Sequence, residues 1–135
     1  MPSMTIVMHL SWLSDYRPAV RAENKIKKEQ HDHLNIELTE NPDILYGLGQ
    51  KKTHQFLVGF AAETRDVIEY GKAKLAKKNL NLLVANDVAQ QGAGFNVSTN
   101  IAALIYKDGH IEQYPKMTKD DLGHIIIEKI VEGIN

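Results

Sequence analysis

Two short apolar segments, separated by one helix, constrain the fold of this chain more than any other feature. They are "QFLVGFAA" (residues 55–62) and "LNLLVAND" (residues 80–87), and both are apolar over most of their length. Between them, Val67, Gly71 and Leu75 recur at the four-residue spacing of a helix face. Strands covered on both faces and joined through a helix are typical of parallel pairs. The pattern therefore predicts an α/β layered fold with a partly parallel sheet.

Further strands are expected on both sides of this unit. Residues 5–10 form a short apolar run, as in a buried strand, and residues 34–40 alternate strictly between apolar and polar side chains. The alternation predicts a half-buried strand with Leu34, Ile36 and Leu38 on its inner face. Residues 101–106 and 110–114 flank "KDG", which predicts a β-hairpin.

A short helix is expected after the alternating strand. Asn41 is a plausible N-cap and Pro42 fits the first helical position, where a missing N–H costs nothing. Gly47 or Gly49 is the expected end, because glycine commonly terminates helices.

The two remaining helices are also marked by capping residues. Thr64 and Asp66 form an N-cap signal for the helix between the apolar segments, which is expected to run to about Asn79. Thr118 is the expected cap of a final helix. The apolar stripe of that helix consists of Leu122, Ile126, Ile130 and Val131.

Charge and composition exclude several classes of function. The chain has 135 residues, about one domain, with 16 Lys and Arg against 17 Asp and Glu. No global positive field therefore attracts nucleic acid or an anionic membrane. There is no cysteine, no run of about 20 apolar residues and no signal-peptide pattern at the start. We expect a cytoplasmic protein with no nucleic-acid or membrane partner.

Positive charge is nevertheless concentrated within the segment "ENKIKKEQHDH" (residues 23–33). It holds Lys25, Lys27 and Lys28, which repel one another unless an anion or water offsets them. The cluster is either a solvated loop or part of an anion site, on a flexible excursion over residues 19–33. His31 and His33 are either solvent-exposed or a weak metal-ligand pair without a third ligand.

Ligands of α/β folds bind beyond the carboxyl ends of strands, which directs attention to residues that follow predicted strands. Asp15 could hold a ribose hydroxyl or a metal-bound phosphate, or bond its own backbone. Asn86 and Asp87 leave the same choice open. Lys74 and Lys78 lie four residues apart on one helix face, where they either bind a polyphosphate or solubilise the helix.

Several of these segments follow one another along the chain in an order that is characteristic of one protein family. Along the chain come "SDYRPAVRAENKIKK", "ENPDIL", "LVGFAAET", "KAKLAKKNLNLLVANDV" and "GFNVSTN". This order resembles phosphopantothenoylcysteine synthetase, also called phosphopantothenate–cysteine ligase, which in many bacteria is the C-terminal half of a bifunctional coenzyme A biosynthesis flavoprotein. The resemblance covers about residues 14–132. It implies a Rossmann-like, three-layer fold that forms a single domain over residues 1–135, with a flexible flap around residues 19–33.

The resemblance also implies a reaction. The family joins phosphopantothenate to the amine of cysteine and uses CTP with Mg²⁺ to activate the carboxylate as an acyl-cytidylate. The implied assembly is a homodimer in the cytoplasm. Flavin chemistry belongs to the fused partner of this family, so no flavin is expected in this chain.

Residue roles follow from positions in the motifs. The resemblance implies that Lys25, the first lysine of "KIKK", contacts the nucleotide phosphates and stabilises the transition state, and that Lys27 and Lys28 belong to the flap. No residue is assigned as a metal ligand. The other implied nucleotide contacts are Asp15, Pro42, Asp43, Ile44, Leu45, Phe60, Lys74 and Lys78.

Two departures from the family pattern bear on activity. Trp12 and Leu13 stand where family members usually carry small residues, next to the expected nucleotide. The family domain also begins earlier, with a Gly-rich strand–turn–helix and an asparagine that serves the acyl-cytidylate. We therefore expect the chain to correspond to the C-terminal part of the domain, without the usual N-terminal βα portion, and to be incomplete as a ligase. The alternative is a non-catalytic nucleotide- or phosphate-binding module that keeps the fold.

Overall fold

The structure, a computed structural model, describes residues 6–9, 15–28, 33–88 and 99–134. Within them the chain divides into two compact units. The first, here called the sheet unit, comprises the described residues of Met1–Ser11 and Ile44–Asn135, and the second, here called the arm, those of Trp12–Asp43. The predicted single domain with a flap around residues 19–33 stays a prediction.

The elements follow in an order that alternates strands and helices through the middle of the chain. They are β1 (Ile6–His9), β2 (Tyr16–Pro18), β3 (Leu38–Glu40), α1 (Ile44–Lys51), β4 (Phe56–Glu63), α2 (Val67–Lys77), β5 (Leu82–Asp87), β6 (Thr99–Tyr106), β7 (Ile111–Thr118) and α3 (Lys119–Ile134). The sheet unit contains a five-stranded sheet in the order β1-β4-β5-β6-β7. The β1–β4 and β4–β5 pairs are parallel, whereas β5–β6 and β6–β7 are antiparallel. The predicted α/β fold with a partly parallel sheet is confirmed.

Each face of this sheet is covered by helices. On one face, Leu57 and Leu83 pack in a core cluster that includes residues of α1 and α2. On the other face, Val58 and Val84 pack against α3. Because alternate residues of β4 and β5 point to opposite covered faces, both strands need an apolar residue at nearly every position. This double burial explains the two continuous apolar segments and gives the expected three layers.

The hairpin and its following helix form as predicted. β6 and β7 pair across the turn, and Gly109 adopts a φ of 95°, a conformation that suits glycine. The Asp121 N–H donates to Thr118 Oγ1 over 3.1 Å, so the predicted cap of α3 is confirmed. Val131 is 50% exposed, however, and its predicted place in the buried stripe is wrong. None of the described helices is long and apolar enough to cross a membrane.

The predicted bounds of α1 are wrong at both ends. The helix begins at Ile44, not at Pro42, and continues through both glycines to Lys51. Gly49 serves packing instead of termination, because a Cβ atom there would lie 1.9 Å from the Lys78 carbonyl oxygen. The Asn41 side chain accepts a hydrogen bond from Arg17 over 3.0 Å within the arm.

α2 also departs from its predicted ends. The helix begins after Asp66, which is at the N-cap position and has a left-handed backbone (φ 48°). Its side chain makes no capping hydrogen bond, so the predicted capping role of this side chain is wrong. The helix ends at Lys77, slightly before the predicted Asn79.

The arm contains a two-stranded ribbon in which β2 and β3 run antiparallel. Leu34, Ile36 and Leu38 are 55%, 61% and 58% exposed, so the prediction that they are buried is wrong, and only residues 38–40 form a strand. A two-stranded ribbon has no second layer of its own to cover such side chains.

Candidate functional site

Two predicted site residues, Phe60 and Lys74, lie near the carboxyl half of β4, on opposite faces of the sheet. Phe60 lies partly buried on the face covered by α3, against its core cluster. Lys74 of α2 reaches back to the last residue of β4, with its Nζ 2.5 Å from Glu63 Oε1. The Glu63 side chain is only 14% exposed, whereas Lys74 is 42% exposed. A largely buried carboxylate therefore holds an accessible ammonium group at this end of the sheet.

Glu63 has a well-defined setting in the sheet. Its carbonyl oxygen accepts a hydrogen bond from the Val88 N–H over 3.0 Å, and it lies in register with Asp87 on β5. Its Oε1 is buried, and the contact with Lys74 is an ion pair, not a well-directed hydrogen bond. Because directly opposed like charges destabilise a strand pair, the Lys74 ammonium also offsets repulsion between two neighbouring carboxylates.

Asn86 lies at the same end of β5, on the opposite face. It is in register with Ala62 on β4 and Ala102 on β6, so only small side chains flank it. Its Oδ1 is buried and has no hydrogen-bond partner among the residues that the structure describes. The two roles considered for Asn86 from the sequence, a ligand contact or a hydrogen bond to its own backbone, both stay open.

Lys78 has a different environment from Lys74, although both are partly buried. It is the C-cap residue of α2, and its N–H donates to the Lys74 carbonyl over 2.9 Å. The end of this helix is further held by Lys52, whose Nζ donates to the Asn79 carbonyl and to Asn81 Oδ1, each over 2.8 Å. Burial, and then the nearby Lys107, lowers the pKa of Lys52.

Two predicted contacts at the start of α1 differ sharply in exposure. Ile44 is 48% exposed, whereas Leu45 is 3% exposed and belongs to the core cluster under α1 and α2. The Leu45 side chain is therefore a core residue, which leaves its backbone for any ligand contact. The assignment of both residues to a nucleotide site stays a prediction.

The predicted site residues of the arm are all exposed. They are Asp15, Lys25, Lys27, Lys28, Pro42 and Asp43. The Asp15 carbonyl accepts a hydrogen bond from the Asn41 N–H over 2.7 Å, which joins the two ends of the ribbon. His33 is exposed, whereas Trp12, Leu13 and His31 lie outside the described residues. Over the described part of the chain, no group of three or more His, Asp or Glu side chains could hold a metal ion.

Glu63 is the main residue that the sequence reasoning missed. It follows the apolar run of β4 directly, and a polar residue at the carboxyl end of a buried strand is a signal of ligand proximity in α/β folds. That signal marked the region from Phe60 to Asp66 but did not single out Glu63, because its partner Lys74 comes from a different element.

Comparison with protein-family models gives a match over residues 1–134 to the family described as DNA/pantothenate metabolism flavoprotein C-terminal domain. The chain belongs to this family. It is 46% identical over 125 residues to the coenzyme A biosynthesis bifunctional protein CoaBC of Bacillus subtilis (strain 168), a match that covers 93% of the chain. The corresponding protein of Escherichia coli (strain K12) is 43% identical over 122 residues, or 88% of the chain. The chain spans 30% of the length of each of these relatives.

One solved structure supports the same family, and a second supports the fold. The crystal structure of the C-terminal domain of a coenzyme A biosynthesis bifunctional protein CoaBC superposes with a TM-score of 0.70 at 35% identity, covering 93% of this chain and 52% of that one. The DNA/pantothenate metabolism flavoprotein from Streptococcus pneumoniae gives a TM-score of 0.72 at 20% identity, over 94% of this chain and 62% of that one, and is similar in fold. The resemblance inferred from the motifs is confirmed at the level of the family.

Proposed function

We propose that the chain acts in coenzyme A biosynthesis and supplies the CTP-binding side of a phosphopantothenate–cysteine ligase in the cytoplasm. Membership of the family and 46% identity to a CoaBC protein support this proposal. The structural observation that carries it is the ion pair between Lys74 and Glu63, because it holds one of the family's nucleotide lysines at the carboxyl end of β4. Ligands of open α/β sheets bind at that end.

The proposed reaction has two displacements. A carboxylate oxygen of phosphopantothenate attacks the α-phosphorus of CTP, the bond to the bridging oxygen breaks, and pyrophosphate leaves. The amine of cysteine then attacks the acyl carbon, CMP leaves with the former carboxylate oxygen, and the amine loses a proton. Both steps bring anions together, so positioned cations lower the barrier by stabilising charge in the transition state.

Three lysines have roles in this proposal. Lys25 neutralises the triphosphate as charge develops on the leaving pyrophosphate, while Lys74 and Lys78 bind the nucleotide. Mg²⁺ is carried by the phosphate oxygens of CTP, the kind of ligand it prefers, and offsets part of their charge. Asp15, Phe60 and residues 42–45 contribute the remaining nucleotide contacts.

Titration calorimetry of CTP with Mg²⁺ into the chain tests the binding claim, and no heat at millimolar nucleotide would refute it. Release of pyrophosphate in the presence of phosphopantothenate then distinguishes a ligase from a non-catalytic nucleotide-binding module, which would bind CTP without turnover. Lys25→Ala should reduce turnover by about 10²-fold or more. Lys27→Ala and Lys28→Ala are the matched controls, and equal mild effects from all three would contradict the role of Lys25.

We also propose that the arm pairs with a second copy of the chain. Tyr16 and Pro18 of β2 are in register with Glu40 and Leu38 of β3, so these side chains share one face of the ribbon, and the exposed Val20 and Ile36 lie just beyond the paired residues. The side chains of Tyr16, Val20, Ile36 and Leu38 are between 50% and 81% exposed. Full burial of one such side chain in an interface would stabilise the dimer by about 1.5–3 kcal/mol. A ribbon face of this kind is able to cover itself across a two-fold axis.

Sedimentation of matched variants tests the homodimer. Ile36→Glu places a charge on an exposed apolar side chain beside β3, whereas Asn35→Glu places the same charge on its exposed polar neighbour. We expect the first variant to be monomeric and the second to behave like the parent chain. Identical sedimentation of both variants would refute the interface.

A further inference from the structure

Lys74 is held by Glu63, which lies in the "LVGFAAET" segment but has no role among those that the resemblance implies. Its ammonium nitrogen lies 2.5 Å from Glu63 Oε1, and this carboxylate is 14% exposed at the end of a central strand. Lys72 and Lys77 on the same helix are exposed. We propose that Glu63 is a positioning residue, which fixes the Lys74 ammonium at the carboxyl end of the sheet so that it meets the nucleotide phosphates already ordered. This inference rests on the proposed function.

The arrangement leaves the ammonium able to serve a ligand. An ammonium group has three N–H donors, and the ion pair engages one side of it. Because Lys74 is 42% exposed, its remaining donors are accessible to a phosphate that approaches from solvent. Glu63 is held more firmly than its partner, since it is in register with Asp87 on β5 and its carbonyl oxygen accepts a hydrogen bond from the Val88 N–H. The strand therefore fixes the carboxylate, and the carboxylate fixes the longer and more flexible lysine.

Two opposing effects decide how Glu63 changes nucleotide affinity. Ordering a free lysine side chain on binding costs roughly tenfold in affinity, a cost that an existing ion pair removes in advance. The carboxylate also repels phosphate: at about 6 Å one pair of charges costs about threefold in water and up to about a hundredfold near a protein surface, and salt reduces this cost. This repulsion acts whether or not Lys74 is present, whereas the ordering effect needs Lys74. The difference between the effects of Glu63→Gln with and without Lys74 therefore isolates the ordering.

A double-mutant cycle on the full chain tests the coupling, with CTP and Mg²⁺ as the probe and calorimetry as the measurement. We expect Glu63→Gln to be about tenfold less favourable for CTP affinity in the parent chain than in the Lys74→Met background, because only the parent chain loses an ordered lysine. Glu69→Gln removes the same charge from an exposed position of α2 and should leave affinity unchanged. An equal effect of Glu63→Gln on CTP affinity in both backgrounds, or a more favourable effect in the parent chain than in the Lys74→Met background, overturns the proposal.

A second measurement needs no variant that risks misfolding. The ε-methylene carbon of Lys74 should show restricted motion by NMR relaxation in the parent chain without nucleotide, whereas Lys72 and Lys77 should show the motion of free side chains. Equal mobility of the three lysines overturns the proposal even if CTP binds. Restricted motion of Lys74 together with no CTP binding overturns the nucleotide role but leaves the ion pair as a structural contact, so the two failures are distinguishable.

Discussion

The sheet unit and the arm use apolar residues in opposite ways. In β4 and β5, Leu57, Val58 and Leu83 are at most 2% exposed, because helices cover both faces of the sheet. In the arm, Val20 and Ile36 are 81% and 61% exposed, and the described strands form a two-stranded ribbon. Both regions have clear strand patterns in the sequence. Alternation therefore identifies a face of a strand, but not what covers that face.

This contrast separates two sources of stability. The core side chains of β4 and β5 are buried within one chain, so their contribution is already present in the monomer. The apolar face of the arm contributes only when something covers it, and we propose that a second copy does so. The effects of substitutions on the free energy of unfolding should consequently differ between the two regions, both in size and in their dependence on protein concentration.

The largest expected effect comes from removing a core side chain. Leu83→Ala should lower the free energy of unfolding by about 3 kcal/mol, because the site is 1% exposed and the cavity is closed in by the core cluster under α1 and α2. Ile36→Ala should change it by no more than about 0.5 kcal/mol in the monomer. Urea unfolding at low protein concentration measures both. A comparable loss from Ile36→Ala would show that the arm is buried within one chain.

Close packing should extend to the helix that follows the arm. A Cβ atom at Gly49 would lie 1.9 Å from the Lys78 carbonyl oxygen, so Gly49→Ala should lower the free energy of unfolding by about 3 kcal/mol through overpacking. Gly47 lies on the same helix with nothing within 4 Å of the added atom. Gly47→Ala should therefore raise stability by about 0.5–1 kcal/mol through helix propensity. Thermal unfolding of the pair checks this, and similar shifts in both variants would contradict the close contact.

These two glycines show where sequence reasoning failed for the fold. The central strands, the hairpin and the Thr118 cap were predictable because each depends on local chemistry or on burial of both faces. The end of α1 was not, because Gly49 is required by a backbone that comes from a distant part of the chain. A glycine that allows close packing and a glycine that ends a helix look the same in sequence.

The candidate site shows the same limit. Lys74 was predictable as one of two basic residues on a helix face, but its partner Glu63 was not, because the pair forms only when α2 packs beside β4. Leu45 was placed among nucleotide contacts by its motif, and only its 3% exposure shows that the side chain belongs to the core. Roles of Lys25 and the other arm residues stay predictions.

A polar cluster on the hairpin should contribute less than the apolar core but more than polar contacts of the arm. The Tyr114 hydroxyl donates to Glu112 Oε2 over 2.6 Å, and Lys129 lies 3.4 Å from the same oxygen. The Glu112 side chain is 22% exposed. Glu112→Gln should therefore lower the free energy of unfolding at about pH 7 by about 1–2 kcal/mol, as measured by urea unfolding.

The cluster also gives a pH dependence with a definite sign. The hydrogen bond from Tyr114, followed by Tyr106 and Lys129, holds the pKa of Glu112 below its usual value. The unfolded chain then binds this proton at a higher pH than the folded chain, so the contribution is complete above the usual carboxyl pKa and is lost as pH falls through the lowered one. The difference between the parent and Glu112→Gln should shrink on acidification. A difference that is constant with pH would contradict this assignment.

The smallest expected effect lies in the arm. Asn41 Oδ1 and the Glu40 carbonyl each accept a hydrogen bond from Arg17 over 3.0 Å, and both contacts are solvent-exposed. Because water replaces exposed hydrogen bonds at little cost, Asn41→Ala should change the free energy of unfolding by less than about 0.5 kcal/mol. Hydrogen exchange should be more sensitive: the Ala19 N–H, which donates to Glu37 over 2.8 Å, should lose protection when the ribbon opens locally. Loss of global stability equal to that of Glu112→Gln would mean that the arm and the sheet unit unfold together.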